Sequence, residues 1–132
     1  MIKRQLYLSF SARDAALATK VAKALEKLGF SAFNPMKDVR PGDDWRMTIH
    51  AAIKKSDALL LLVASPESAA SSWMSYEAGM AEALGKRVLA LVPDRYSMAQ
   101  LPSDLAARQV LLLDILSPER SAREIADVLA AA

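Results

Sequence analysis

Short apolar runs alternate along the chain with segments whose apolar positions recur at helical spacing. The apolar runs predict five strands, at residues 7–10, 30–33, 58–64, 88–92 and 109–113. The helical patterns between and after them predict five helices, which begin after Ser11, after Asp43, at Trp73, at Met98 and at Pro118. The chain is therefore predicted to alternate strand and helix from end to end.

Capping residues and breakers mark several ends of these helices. Ser11 and Asp14 form a pair that resembles a capping box ahead of the first helix, and Gly29 suits the position just past its end. Asp43 is predicted to cap the second helix. Ser117–Pro118 places an N-cap before a proline at the first position of the last helix.

The apolar run at 58–64 lacks polar alternation, which is typical of a central strand covered on both faces of a parallel sheet. Short connections and right-handed crossovers then favour a doubly wound α/β fold with helices on both faces. Five strands suggest the flavodoxin-like order 2-1-3-4-5, with a crevice at the carboxyl ends of strands 1 and 3. Residues 1–132 contain no linker or repeat and are predicted to form a single domain.

Composition excludes several classes of function. The absence of cysteine excludes disulfides, Cys-ligated zinc and thiol catalysis, and a lone histidine, His50, argues against a metal site. A net charge of +2 without a basic run predicts no nucleic-acid partner. The N-terminus lacks a signal-peptide layout and no apolar run could span a bilayer. We therefore expect a soluble, cytoplasmic protein with no membrane partner.

Glu77 lies within the apolar stripe of the helix that begins at Trp73. The other apolar positions of this stripe are Tyr76, Met80, Ala81 and Leu84. The helix therefore aims a carboxylate at the protein interior, where an unpaired charge costs several kcal/mol. Such a group needs a cationic partner, a raised pKa or an adjacent cleft. The pattern of apolar positions does not distinguish among these three possibilities. Glu82, on the opposite side of the helix, is predicted to be solvated.

Two loops also carry candidate chemistry. Hydroxyls and free N–H groups between Ser9 and Asp14 suit a phosphate or ribose, although simple capping also explains them. The segment from Arg40 to Trp45 is equally typical of a turn into a capped helix. No glycine-rich dinucleotide or P-loop motif is present, so a Rossmann dehydrogenase and a P-loop NTPase are unsupported.

Taken in order, these segments resemble a TIR (Toll/interleukin-1 receptor) domain over nearly the whole chain. Leu6–Asp14 is similar to the first conserved box of that family, and Arg40–Pro41–Gly42 to the second box, the BB loop. Leu60–Pro66 resembles the third strand with its Ser–Pro ending. The run Ser72–Glu77 resembles the signature of catalytic TIR domains, in which a tryptophan precedes a glutamate by four positions.

The resemblance implies an enzyme of the bacterial, NAD-cleaving type. In such members the signature glutamate cleaves the nicotinamide–ribose bond of NAD⁺, and its counterpart here is Glu77. The products would be nicotinamide and ADP-ribose or a cyclic ADP-ribose isomer, with NAD⁺ as substrate and no separate cofactor. The resemblance and the aromatic residues nearby suggest substrate-binding positions, which are Phe10, Ser11, Asn34, Trp45 and Trp73.

The family also implies a biological setting and two alternatives. Microbial relatives act in anti-phage immunity by depleting NAD⁺ or by making a nucleotide signal for a downstream effector, and they self-associate. A non-enzymatic adaptor, which docks through the BB loop and has no use for Glu77, is one alternative. A nucleoside deoxyribosyltransferase is the other, because residues 77–86 partly match its Glu–x–Gly–x–Ala run ending in Gly–Lys.

Overall fold

A five-stranded parallel sheet forms the centre of the fold. The computed structural model describes residues 4–38, 40–94 and 109–131. The strands are β1 (Gln5–Ser9), β2 (Ser31–Phe33), β3 (Ala58–Leu62), β4 (Arg87–Val92) and β5 (Gln109–Leu112). They lie in the order β2-β1-β3-β4-β5, and every neighbouring pair is parallel. The order predicted from the sequence is confirmed.

Helices cover both faces of this sheet. The described helices are α1 (Ala15–Lys27), α2 (Pro35–Asp38), α3 (Trp45–Lys55), α4 (Pro66–Ala69), α5 (Ser72–Ala83) and α6 (Pro118–Ala130). A single turn of 3-10 helix at Ala12–Asp14 precedes α1. In the described parts of the chain, no helix has the length and apolar character needed to cross a membrane. The helix predicted from Met98 lies outside the described residues.

Each face of the sheet has its own apolar core, because successive side chains of a strand point to opposite faces. On one face α1 and α6 pack together, and the strand residues buried there are Leu6, Leu8, Ala58, Leu60, Leu62, Leu89 and Leu91. On the other face lie α3 and α5, and the strand residues buried there are Tyr7, Leu59, Leu61, Val88, Ala90 and Val92. All five residues of β3 are buried, in agreement with the unbroken apolar run.

The ends of the helices confirm most of the predicted boundaries and correct two of them. Gly29, with φ of 93°, follows α1, and the Ser117 hydroxyl accepts the Arg120 N–H at the start of α6. The cap of α3 is Asp44 rather than Asp43, because the Asp43 carboxylate already accepts the Arg40 N–H at 2.9 Å in the preceding turn.

Ser11 is the second correction, because it caps no backbone N–H with its side chain. Its hydroxyl donates to the Asp14 carboxylate at 3.2 Å instead. The chain therefore enters a 3-10 turn after Ser11, and the regular helix begins only at Ala15.

Candidate active site

Glu77 lies in the middle of α5 and is completely buried. The helix starts at Ser72 because the Ser71 side chain accepts the Met74 N–H at 3.2 Å, and it then packs against β3 and β4. Its buried positions are Met74, Glu77, Ala78 and Ala81. The inward orientation predicted for Glu77 is confirmed, and Glu82 is exposed as expected.

Two hydroxyl groups of β1 hold the Glu77 carboxylate. Ser9 Oγ donates to Oε1 at 2.6 Å, and the Tyr7 hydroxyl donates to Oε2. Tyr7 and Ser9 are two positions apart on one strand, so both point to the face that α5 covers. Within the described part of the chain, no lysine, arginine or histidine forms an ion pair with Glu77. The carboxylate is therefore held by neutral donors rather than by a cation.

Burial raises the pKa of Glu77 from 4.5 to about 7, although the hydrogen bonds from Ser9 and Tyr7 act in the opposite direction. The pKa of Tyr7 lies far above its ordinary value because of burial, the negative charge of Glu77 and the hydrogen bond between them. Glu77 therefore changes its charge near neutral pH, while Tyr7 remains a hydrogen-bond donor.

The loop after β1 is fixed to the loop after β3 by a buried aspartate. Asp14 is only 9% exposed and accepts hydrogen bonds from Ser11 Oγ at 3.2 Å and Ser65 Oγ at 3.0 Å. Ser65 also caps α4 by accepting the Ser68 N–H. The carboxyl ends of β1 and β3 are thus tied together where the strand order reverses, which is the usual ligand crevice of such sheets.

Phe10 lies directly after β1 but on the opposite side from Glu77. Its side chain is 7% exposed and belongs to the core between the sheet and α1. Strand alternation explains this, since Tyr7 and Ser9 point toward α5 and Phe10 is one residue out of phase. The structure therefore does not bring the predicted substrate-binding residue Phe10 together with the carboxylate. Ser11, the next residue along the chain, belongs to the loop at the carboxyl end of β1.

The two predicted tryptophans do come together. The ring centroids of Trp45, at the start of α3, and Trp73, in the first turn of α5, are 5.3 Å apart. Trp73 lies one helical turn before Glu77, on the same side of α5. The apolar patterns predict a buried Trp45 on α3 and an inward Tyr76 on α5, but these side chains are 45% and 48% exposed.

The remaining predicted residues lie near the β2 edge of the sheet. Asn34 follows β2, and its N–H donates to Asp38 at 2.8 Å. It lines a cavity of about 410 Å³ between α1 and β2. The BB-loop residues Arg40, Pro41 and Gly42 are exposed, and Gly42 has a φ of 90°. The loop runs into the Asp44 cap of α3 and so leads to Trp45.

Glu77 itself is closed off in this state of the protein. It lines neither the cavity between α1 and β2 nor the groove of about 500 Å³ between α3 and α5. In residues 4–38, 40–94 and 109–131, no three His, Asp or Glu side chains are grouped to hold a metal ion. The functional groups at this site are therefore the Glu77 carboxylate, which ionises near neutral pH, and the hydroxyls of Tyr7 and Ser9 beside it.

The sequence alone does not identify Tyr7 and Ser9 as partners of the carboxylate. It places Tyr7 only in the first strand, and Ser9 only in a candidate phosphate or ribose loop. A signal is present, because both residues carry a hydroxyl on the same face of an otherwise apolar strand. Which helix covers that face cannot be read from β1 alone.

Solved structures of three other proteins share this fold at low sequence identity. The TIR domain of a Toll-related receptor from Hydra magnipapillata is 16% identical, with a TM-score of 0.76 over 95% of this chain and 97% of that one. A CMP N-glycosidase from Clostridium botulinum is 16% identical, with a TM-score of 0.60 over 93% and 98%. A 2-desoxiribosyltransferase from Leishmania mexicana is 20% identical, with a TM-score of 0.58 over 69% and 65%.

Sequence comparison identifies the family directly. No curated protein matches the chain. The family model described as TIR domain, however, matches residues 6–129. This range includes every strand and helix of the described fold except the first residue of β1 and the last of α6. The chain therefore belongs to the TIR domain family.

Proposed function

We propose that this TIR domain cleaves NAD⁺ at the nicotinamide–ribose bond, with Glu77 as the catalytic carboxylate. The observation that supports it is the fully buried Glu77 beside the carboxyl end of β1, held by two hydroxyls and, among the described residues, by no cation. Keeping a buried carboxylate without a counter-ion costs stability, and such groups concentrate at functional sites.

The bond between ribose C1′ and the nicotinamide nitrogen breaks, and both bonding electrons leave with nicotinamide, which becomes neutral. Positive charge develops on the ribose ring, and a nearby carboxylate stabilises it. A neutral leaving group requires no general acid, which suits a chain with one exposed histidine and no cysteine. Capture of C1′ by water, with loss of a proton, yields ADP-ribose. Capture by a nitrogen of the adenine base yields a cyclic isomer.

The same family resemblance suggests a biological role for this reaction in the cell. The protein would act in the cytoplasm as part of anti-phage immunity, either by exhausting NAD⁺ or by releasing a nucleotide that a downstream effector recognises. Self-association would complete or order the pocket, because Glu77 is closed off in the single chain.

The deciding experiment compares Glu77→Gln with Glu82→Gln, since both glutamates lie on α5 but only the first is buried. NAD⁺ is incubated with each protein at high concentration, and the products are separated by chromatography. Loss of the carboxylate charge should lower turnover by on the order of 10²-fold or more, and Glu82→Gln should match the wild type. Full activity of Glu77→Gln, or an inactive wild type, would contradict the proposal.

The similarity in fold to an N-glycosidase and a 2-desoxiribosyltransferase supports a second candidate, cleavage or transfer at another nucleoside or nucleotide. Base exchange on a deoxynucleoside without turnover of NAD⁺ would establish it. The adaptor alternative is supported by the groove between α3 and α5, which is lined by the exposed apolar side chains of Met47, 70% exposed, and Tyr76, 48% exposed. Absence of both reactions would favour the adaptor.

A further inference from the structure

We propose that Tyr7 and Ser9 have different roles at Glu77: Tyr7 is a fixed positioning residue, and Ser9 occupies the place that a hydroxyl of the substrate takes. The inference rests on the proposed function, since it concerns the carboxylate assigned to NAD⁺ cleavage. Each carboxylate oxygen accepts one hydroxyl of β1, and Glu77 has no exposed surface. A ligand can therefore reach the carboxylate only after a neighbouring side chain moves aside, and these two donors are the groups in direct contact with its oxygens.

Tyr7 cannot leave its position without unpacking the sheet. It is fully buried in the middle of β1, and its backbone is in register with Phe33 of β2 and Leu59 of β3. Its ring stacks on Phe33 with centroids 5.3 Å apart and planes 25° from parallel. A ring packed on both sides has one accessible rotamer, so its hydroxyl keeps Oε2 of Glu77 in a constant place.

Ser9 is also fully buried, and its backbone is in register with Leu61 of β3, but it has a small side chain and no ring to pack. It is the last residue of β1, at the edge of the sheet where ligands bind in folds of this kind. Its hydroxyl is displaced by rotation about a single side-chain bond, with no movement of the backbone. A ribose hydroxyl that takes its place on Oε1 exchanges one neutral donor for another, so the carboxylate keeps its hydrogen bond, and the displaced Ser9 hydroxyl turns to another acceptor.

Nothing else in the described surroundings can take over these roles. The elements packed against α5 are β3, β4 and α3, and their buried side chains on this face are Leu59, Leu61, Val63, Val88, Ala90, Val92, Ile49, Ala52 and Ile53. The charged or titratable residues of α3 that line its outer groove, Arg46, His50 and Lys54, are exposed. Tyr7 and Ser9 are thus the side-chain donors that favour the ionised form of Glu77, and both lower its pKa.

The test compares pH–rate profiles of NAD⁺ cleavage for Tyr7→Phe and Ser9→Ala. Tyr7→Phe keeps the ring that stacks on Phe33 but removes the donor, so kcat should fall at least tenfold and the acidic limb of kcat should move up by about one pH unit. Ser9→Ala removes the donor that substrate displaces, so the acidic limb of kcat/KM, which reports Glu77 in the free enzyme, should move up by about one pH unit. The acidic limb of kcat should stay near that of the wild type, because the substrate hydroxyl then occupies Oε1. Tyr76→Phe, which removes an exposed hydroxyl from α5, should match the wild type.

An acidic limb of kcat that stays in place in Tyr7→Phe would overturn the positioning role, and an acidic limb of kcat that moves together with that of kcat/KM in Ser9→Ala would overturn the exchange. If the wild type cleaves no NAD⁺, the proposed function fails, but the role of Tyr7 is still tested by titrating ¹³C-labelled Glu77 by NMR. The carboxyl of Glu77 should then titrate about one pH unit higher in Tyr7→Phe than in the wild type. An unchanged titration would overturn the role of Tyr7 without reference to activity.

Discussion

Ser9 and Glu77 are 68 positions apart in the chain, yet Ser9 Oγ lies 2.6 Å from Glu77 Oε1. Ser9 ends the strand at which the order of the sheet reverses, and Glu77 belongs to the helix that covers the neighbouring strand β3. The contact thus joins the crevice to the one buried glutamate in the described part of the chain.

Activity should rise with pH through neutrality. The proposed reaction needs ionised Glu77, and its pKa is raised to about 7, so the fraction ionised grows tenfold per pH unit below that value and levels off above it. The kcat/KM for NAD⁺ cleavage, measured from pH 5.5 to 9, should follow a single ionisation near 7. A rate that is flat over this range, or that falls between pH 6 and 8, would argue against a carboxylate acting in its charged form.

Glu77→Gln should stabilise the protein at alkaline pH. The folded-state pKa of about 7 lies above the ordinary 4.5, so the folded protein binds this proton more tightly than the unfolded chain does. The stability contributed by protonated Glu77 is complete below pH 4.5 and is lost as the pH rises through 7. Above pH 7 the ionised, buried carboxylate costs about 3 kcal/mol, which the neutral amide avoids.

Thermal unfolding of Glu77→Gln and wild type at pH 5 and pH 8 measures this difference. The variant should gain several degrees in Tm at pH 8 and little at pH 5. Glu82→Gln is the control, because Glu82 is exposed and should give the same difference at both values. An equal gain for Glu77→Gln at both pH values would show that the carboxylate ionises normally in the folded state.

Asp14→Ala should destabilise the fold by about 1–3 kcal/mol, because it leaves the hydroxyls of Ser11 and Ser65 without their acceptor at a position that is 9% exposed. Asp57→Ala is the matched control. Asp57 forms an exposed ion pair with Arg4 at 2.8 Å, and such pairs contribute about 0–1 kcal/mol. Urea unfolding of both variants separates the two cases, and equal losses would show that Asp14 does not tie the loops together.

The sequence predicts the sheet correctly because local patterns determine most of it. The unbroken apolar run at 58–64 marks the central strand, and Ser117 with Pro118 marks the last helix. The single-domain prediction for residues 1–132 rests on the sequence alone. Errors arise where two neighbouring residues could serve equally well as a helix cap. Either Asp43 or Asp44 can cap α3, and the turn that precedes the helix decides between them because it already uses the Asp43 carboxylate.

The site is predictable only in part. The inward turn of Glu77 follows from helical spacing, but the predicted stripe around it is rotated, because Met74 and Ala78 are as apolar as Tyr76 and fit the same period. The pairing of Glu77 with the hydroxyls of β1 depends on which helix packs on which face and at what height. That packing is determined by the tertiary fold, and the spacing of apolar residues along a single helix or strand does not predict it.

Gly42→Ala should weaken self-association more than it weakens the fold. If assembly orders the pocket, NAD⁺ cleavage per protomer should rise steeply with protein concentration, and the BB loop should contribute to that dependence. Gly42 has a φ of 90°, and no atom lies within 4 Å of the place that an alanine methyl group would occupy, so alanine strains only the backbone, by about 1 kcal/mol. Relief of that strain should change the conformation of this exposed loop.

Gly79→Ala is the matched control, because Gly79 is an exposed residue within α5 with equal space around it and an ordinary φ. Alanine there should stabilise the helix by about 0.5–1 kcal/mol and leave the concentration dependence unchanged. Specific activity measured over a hundredfold range of protein concentration distinguishes the variants. Strictly linear kinetics in the wild type would show that one chain suffices, and a concentration dependence in Gly42→Ala equal to that of the wild type would show that the BB loop is not its source.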